Sequence, residues 1–150
     1  MQKPYFFKLE ENKTVVRKLL EAVNSRNLDL LEEFISEDNV DRTHNLRGLE
    51  EIKKFLTMLF KGLDFHATLE DITAEGDKVW ARFTFNGTHI GDFRGIIPTG
   101  EKFMEPAVQI FRVVNGKVSE VLQVSDELDL SLRLGLVEYT DKAKKLVPGK

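Results

Sequence analysis

The sequence predicts an α+β domain: a strongly curved, mostly antiparallel sheet, cone-shaped, wrapped around three N-terminal helices. Three observations predict it. The apolar residues recur at helical spacing in the first half and switch to strict alternation in the second. Helical segments followed by a run of strands is the α+β order. The third and fourth strand segments carry apolar residues on both faces, so both faces of the sheet meet something. Three short helices cannot fill a strongly curved sheet, and such a cone tends to leave a pocket.

The elements follow in order. In "ENKTVVRKLLEAVNSRN", Val15, Val16, Leu19, Leu20 and Val23 form one apolar face, with Asn12 as the expected N-cap and Asn24-Ser25 as the stop. "NLDLLEEFIS" gives a short second helix with Leu28, Leu31 and Phe34/Ile35 inward. "SEDNVDRTHNLRG" is polar and loop-like, with a short strand at Val40. The third helix, "GLEEIKKFLTMLFKG", carries Ile52, Phe55, Leu56, Leu59 and Phe60 as its stripe between Gly48 and Gly62. "LDFHATLEDI" alternates Leu63, Phe65, Ala67 and Leu69 on one face. "DKVWARFTFNGTHI" sets Val79, Ala81, Phe83 and Phe85 against Trp80, Arg82 and Thr84. "EKFMEPAVQIFRVV" and "KVSEVLQVSD" are joined at "VNGK", a hairpin signal. The intervening "GDFRGIIPTG" takes Pro98-Thr99-Gly100 as its turn, "DELDLSLRLGL" is a short helix, and "TDKAKKLVPGK" a loosely ordered end. One domain spans residues 1–150, with its core over about 12–136 and a tail over 137–150.

The totals restrict function. The 22 basic and 25 acidic side chains give a net charge of −3, which offers no electrostatic footprint for nucleic acid. With no cysteine, disulfides, thiolate metal sites and a thiol nucleophile are excluded. No apolar run approaches the ~20 residues that cross a bilayer. The first residues lack the apolar core of a secretory signal, so a cytoplasmic protein is the simplest expectation. Ser-His-Asp, phosphate-loop and dinucleotide signatures are absent, and the three His are not spaced as metal ligands.

"GTHIGDFRGIIPTG", the "FR–NGK" hairpin and "DEL…LRLGL" together resemble the SnoaL-like polyketide cyclase (ester cyclase) family of the nuclear-transport-factor-2-like superfamily, over roughly residues 12–136. The resemblance implies a cystatin-like α+β barrel, and the apolar outer face of the sheet favours a homodimer contact. The resemblance also implies an intramolecular aldol closure of a polyketide methyl ester, without metal or cofactor. In that chemistry an acidic side chain in the cone moves the proton, and a carboxyl kept dry enough for a raised pKa serves it.

The family's strand before the last helix commonly reads Trp-Asp-x-x-Asp. This chain reads "LQVSD": Leu122 stands for the Trp, Gln123 for the proton-moving Asp, and Asp126 alone matches the second acid. Gln does not titrate but donates and accepts hydrogen bonds. Asp126 has two readings, a helix N-cap for "DELDLSLRL" or a carboxylate at the pocket mouth. Arg82 corresponds to an Arg of the epoxide hydrolase branch whose Asp partner is here Thr84; it either meets an anionic or carbonyl ligand or covers surface with its stem. His44 follows the place where the family often has a pocket-capping His, which here is Arg42, and His89 belongs to "GTH". If "VNGK" closes with a bulge at Gly116, Gln109 and Phe111 share a face with Gln123; the two Gln then pair with each other or line a pocket.

Two kinds of function follow. One is a cofactor-independent cyclase or isomerase acting on a small apolar, carbonyl-bearing compound, with Asp126, His44 and Arg82 as acid/base and orienting groups. Trp80, Thr84, His89, Gln109, Phe111 and Gln123 would line its pocket. The other, suggested by Gln123 at the acid position, is a non-catalytic module that binds a hydrophobic ligand or a second copy of the chain. No nucleic acid, membrane, metal or cofactor is expected as a partner.

Overall fold

Helix α1 (Tyr5–Asn24) opens the computed structural model, which describes residues 3–147. It starts seven residues before the Asn12 expected as its cap, because Pro4 supplies the start: its carbonyl accepts the amides of Phe7 and Lys8, and a proline has no amide of its own to leave unpaired. Ser25 ends it as expected, followed by Arg26 in the left-handed region at φ 63°. Val16, Leu19 and Ala22 are its buried face. A 3-10 turn over Leu28–Leu30 leads into the short α2 (Leu31–Phe34), whose Leu31 is fully buried.

The segment expected as a loop with a strand at Val40 is a full strand, β1 (Ile35–Asp41), followed by the two-residue β2 (Leu46–Arg47). Its partner lies far away in sequence: β1 runs parallel to β6 (Lys117–Ser125), and local pattern carries no sign of that pairing. Helix α3 (Leu49–Gly62) follows, then β3 (Leu63–Glu75), β4 (Lys78–His89) and β5 (Lys102–Val114). The sheet order is β2-β1-β6-β5-β4-β3, antiparallel throughout except for β1 against β6. Helix α4 (Glu127–Arg133) and helix α5 (Asp141–Leu146) close the chain. Part of the tail expected as loosely ordered is thus helical: Thr140 caps α5 by accepting the Ala143 amide at 3.2 Å. Among the described residues, no helix is long and apolar enough to cross a membrane.

The sheet bends where residues are inserted. Glu70 is extra in β3, between the pairs Leu69–Phe83 and Asp71–Arg82, and Ser119 is extra in β6. The "VNGK" connection is a plain two-residue turn, with Asn115 at φ 52° and Gly116 at φ 77° and Val114 paired to Lys117, rather than a Gly116 bulge. Such a turn alone would set Gln109 opposite Leu122. The Ser119 bulge shifts the register by one and sets Gln109 opposite Gln123, with Phe111 opposite Val121. The expected face sharing holds, by a different device.

The concave face carries the main core: Val79, Ala81 and Phe83 of β4 and Phe111 of β5 pack against Val16, Leu19 and Ala22 of α1 and Ile52 of α3. A second cluster, with Leu63, Phe65, Phe93, Phe103, Leu130 and Leu134, joins α4 and the β4–β5 connection to the same concavity.

Candidate active site

The β4–β5 connection is built around close backbone approach. The Gly62 carbonyl at the end of α3 accepts the amides of Ile90 and Gly91. A Cβ on Gly91 would lie 2.0 Å from the Lys61 carbonyl oxygen, so only glycine fits. The turn is not at Pro98-Thr99-Gly100: Arg94 and Gly95, at φ 52° and 82°, form a two-residue turn closed by paired hydrogen bonds between Phe93 and Ile96. Phe93 is thereby buried toward the cone and Arg94 placed at its rim, where it pairs with Glu127.

Between the helices and the sheet lies a cavity of about 210 Å3. Its lining ranges from the buried Val16, Ile35, Asn39, Phe111 and Val118 to Arg94 and Glu127, each roughly half exposed. One wall, from α1, α3, β3 and β4, is aliphatic and aromatic. The other, from β1, β5 and β6, carries a row of polar side chains: Asn39, Asp41, His44, Gln109, Gln123 and Glu105. An apolar pocket with a few convergent polar groups is the usual form of a small-molecule site.

The polar row has a defined geometry. Asp41 Oδ1 accepts the amides of Thr43 and His44 at 2.9 and 3.0 Å, which folds the chain back over β1. Its Oδ2 lies 2.9 Å from His44 Nδ1. An ionised Asp41 makes Nδ1 the donor and leaves the Nε2 lone pair available. Burial opposes the Asp41 charge most strongly, yet the hydrogen bonds from the His44 ring and amide, its charge when protonated and the Thr43 amide together hold the carboxyl below its ordinary pKa. The His44 ring stacks against Phe55, centroids 4.4 Å apart. Gln109 Nε2 donates to Gln123 Oε1 at 2.7 Å, which leaves the Gln123 amide N–H groups and the Gln109 oxygen to other partners.

Glu105 is not among the residues the sequence singles out. It lies on the inner face of β5, in the same alternating set as Phe103, Ala107, Gln109 and Phe111. That alternation was the signal that could have found it. Burial pushes its carboxyl above the ordinary glutamate range; Ser125 and Arg94 oppose the rise, and Glu127 and Asp126 add to it.

The other sequence candidates fall elsewhere. Trp80, Arg82 and Thr84 point to the convex face, which corrects their expected place: they alternate with the inward Val79, Ala81 and Phe83. Trp80 is 49% exposed, and the Thr84 hydroxyl donates to Glu70 Oε1 at 2.8 Å. Asp126 is exposed and caps α4, Oδ1 accepting the Asp129 amide at 3.2 Å, so of its two readings the cap is the one found. His89 is wholly buried but does not line the cavity; its Nδ1 accepts from the Thr99 amide at 3.3 Å and contacts the Thr99 hydroxyl at 2.9 Å, pinning the β4–β5 connection. His44, Gln109, Phe111 and Gln123 do line the cavity. Among the described residues, no group of three His, Asp or Glu is placed to hold a metal ion.

A curved sheet around helices, with a half-open apolar cavity edged by a polar row, defines a small-molecule pocket protein of the nuclear-transport-factor-2-like fold. Residues 13–134 match the family model for SnoaL-like polyketide cyclase, and the chain belongs to that family. It is 30% identical over 128 residues to the aklanonic acid methyl ester cyclase DnrD of Streptomyces peucetius, covering 81% of this chain and 88% of that one. The cyclase of the same description DauD, from Streptomyces sp. (strain C5), is 28% identical over 128 residues, covering 81% and 80%. The structure of TsrD from Streptomyces laurentii superposes with a TM-score of 0.78 at 25% identity, covering 85% of this chain and 97% of that one.

Proposed function

We propose that the protein is a cofactor-independent cyclase for a polyketide-like polycarbonyl compound, an ester of the kind named for the aklanonic acid methyl ester cyclases it resembles. The observation that carries the reading is the presence of two separate proton-handling groups in one apolar cavity: the Asp41–His44 pair and the half-buried Glu105. His44 Nε2 takes a proton from the carbon between two carbonyls. The Gln123 amide donates to the resulting enolate oxygen. The enolate carbon forms the new C–C bond at a second carbonyl, and Glu105, whose protonated form partial burial favours, gives its proton to the alkoxide that forms. No group leaves, and solvent returns the proton from His44 to Glu105. The role elsewhere filled by an Asp at position 123 is thus divided between two side chains.

A second reading, a binder without turnover, is favoured by Gln123 alone, since the amide cannot exchange a proton. In either case a homodimer through the convex face is part of the proposal, supported by Trp80, Met104, Leu122 and Val124, which are exposed there together. The test is incubation with aklanonic acid methyl ester, with cyclised product followed by mass-resolved chromatography. Turnover in the wild type that falls at least a hundredfold in Glu105→Gln supports the cyclase. Saturable binding without product supports the binder.

A further inference from the structure

Two polar groups of the cavity reach it from distant parts of the chain, His44 from the turn after β1 and Gln123 from β6. The parallel ladder between those strands ends at Asp41–Val121, after which the Arg42 amide donates to the Val121 carbonyl at 2.9 Å. The Asp41 carboxylate then turns the chain away, and the backbone groups of Gln123 lose the partners that a longer β1 would bring. The Thr43 hydroxyl takes their place. It accepts the Gln123 amide at 2.6 Å and donates to the Gln123 carbonyl at 3.2 Å. One side-chain oxygen serves both because the amide and carbonyl of a strand residue point the same way, and a hydroxyl donates and accepts at once. The bridge joins Thr43 to Gln123 directly, one residue from His44 and at the root of the Gln123 side chain.

We infer that Thr43 is a positioning residue: its hydroxyl sets the separation between the His44 imidazole and the Gln123 amide, so that both engage one ligand at once. The inference rests on the proposed reading that these two groups act on the same molecule. Each group is already held within its own half of the site. Asp41 at Nδ1 and Phe55 against the ring face orient His44, and Gln109 orients the Gln123 side chain. Neither set of contacts spans the two halves, and the Thr43 bridge does. A misplacement of about 1 Å between reacting groups can cost a hundredfold in rate, so a tether at this point has a use beyond holding strands together. The strands do not depend on it. Arg42 and Glu120 pair bidentately beside it, at 2.9 and 3.0 Å, and Thr43 is itself exposed, so water replaces its hydrogen bonds without replacing the tether.

The test compares the wild type with Thr43→Val, which keeps the shape and loses the hydroxyl, and with Thr43→Ser, which keeps the hydroxyl. The probe is pentane-2,4-dione, whose enol can meet a ring nitrogen and an amide N–H together. Its binding is followed by NMR at the His44 ring and the Gln123 side-chain amide. In the wild type both sets of signals are expected to move along one isotherm. In Thr43→Val the dissociation constant is expected to rise at least about fivefold with the urea midpoint nearly unchanged, and Thr43→Ser is expected to return it to within about twofold of the wild type. Unchanged affinity in Thr43→Val, an equal loss in Thr43→Ser, or wild-type shifts at fewer than both groups would each overturn the inference. A Thr43→Val chain that does not fold would do the same, since the bond would then hold the strands rather than the site. None of these readouts needs turnover. Product from aklanonic acid methyl ester, with the probe's affinity unmoved by Thr43→Val, keeps the cyclase and sinks the positioning role. No product from the wild type, with the affinity lost in Thr43→Val and regained in Thr43→Ser, does the reverse.

Discussion

Gln109 and Gln123, fourteen residues apart, meet across β5 and β6 with Nε2 2.7 Å from Oε1, because a single bulge at Ser119 has reset the strand register between them. Both side chains are half-buried and line the cavity. Truncating either member alone strands the other's amide, at a cost of about 1–2 kcal/mol. Gln109→Leu with Gln123→Leu is expected to cost less than the sum of the two single changes, with a coupling of about 1 kcal/mol. A double-mutant cycle by urea unfolding measures it.

Glu105 gives a pH dependence of defined sign. Its folded pKa is raised, so the folded state holds the proton more tightly than the unfolded chain does. Its contribution is most favourable at low pH and is lost as pH rises through the unfolded value, about 4.3, toward the folded one. Glu105→Gln is accordingly expected to match the wild type near pH 4 and to exceed it in stability at pH 7. Urea midpoints across that range test it.

Asp41 has the opposite sign. Its folded pKa is lowered, so its stabilisation is fully present above the unfolded value of about 3.9 and disappears as pH falls through the folded one. Asp41→Asn retains an oxygen for the Thr43 amide but loses the charge that keeps the proton on His44 Nδ1. Turnover is expected to fall about 10²–10⁴-fold. His44→Ala added to that background should cost little more, and nitrogen chemical shifts should report the changed tautomer.

Gly91→Ala places a methyl 2.0 Å from the Lys61 carbonyl oxygen, where neither backbone can yield cheaply. A loss of about 3 kcal/mol is expected by chemical denaturation. Because Phe93 and Arg94 hang from the same connection, ligand affinity should weaken together with stability.

Arg82→Ala is the control for the outward face. The side chain is exposed and its strand neighbours point inward, so ligand binding and turnover are expected to stay within twofold of the wild type and stability within about 0.5 kcal/mol.

The helices and the four long strands are legible in sequence because each rests on a periodicity of its own residues. What the sequence leaves hidden is non-local. β1 reads as a polar loop because its pattern is weak and its partner, β6, comes more than seventy residues later. Arg82 is assigned to the site by correspondence to another branch, and Trp80 with it as a neighbour on the same strand face, although the alternation of Val79, Ala81 and Phe83 already places both outside. Glu105 is hidden for the converse reason: the same alternation puts it two residues from Ala107 on the inner face, but the acid the family resemblance calls for belongs on a different strand, at Gln123. The Asp41–His44 pair depends on the chain doubling back after β1, a local turn whose chemical meaning appears only beside the cavity.

The Ser119 bulge has one more consequence. Strand β6 bears two alternating sets of side chains, Val121, Gln123 and Ser125 toward the cavity and Leu122 and Val124 toward the outside. Which set is lining and which is exterior depends on one inserted residue, as a message depends on its reading frame. Were Ser119 to enter the ladder opposite Arg112 instead of bulging from it, the two sets would change places, turning a polar-edged cleft greasy and a greasy exterior polar. Whether one serine stands in or out of the pairing thus decides which side chains of β6 meet the cavity and which meet the outside.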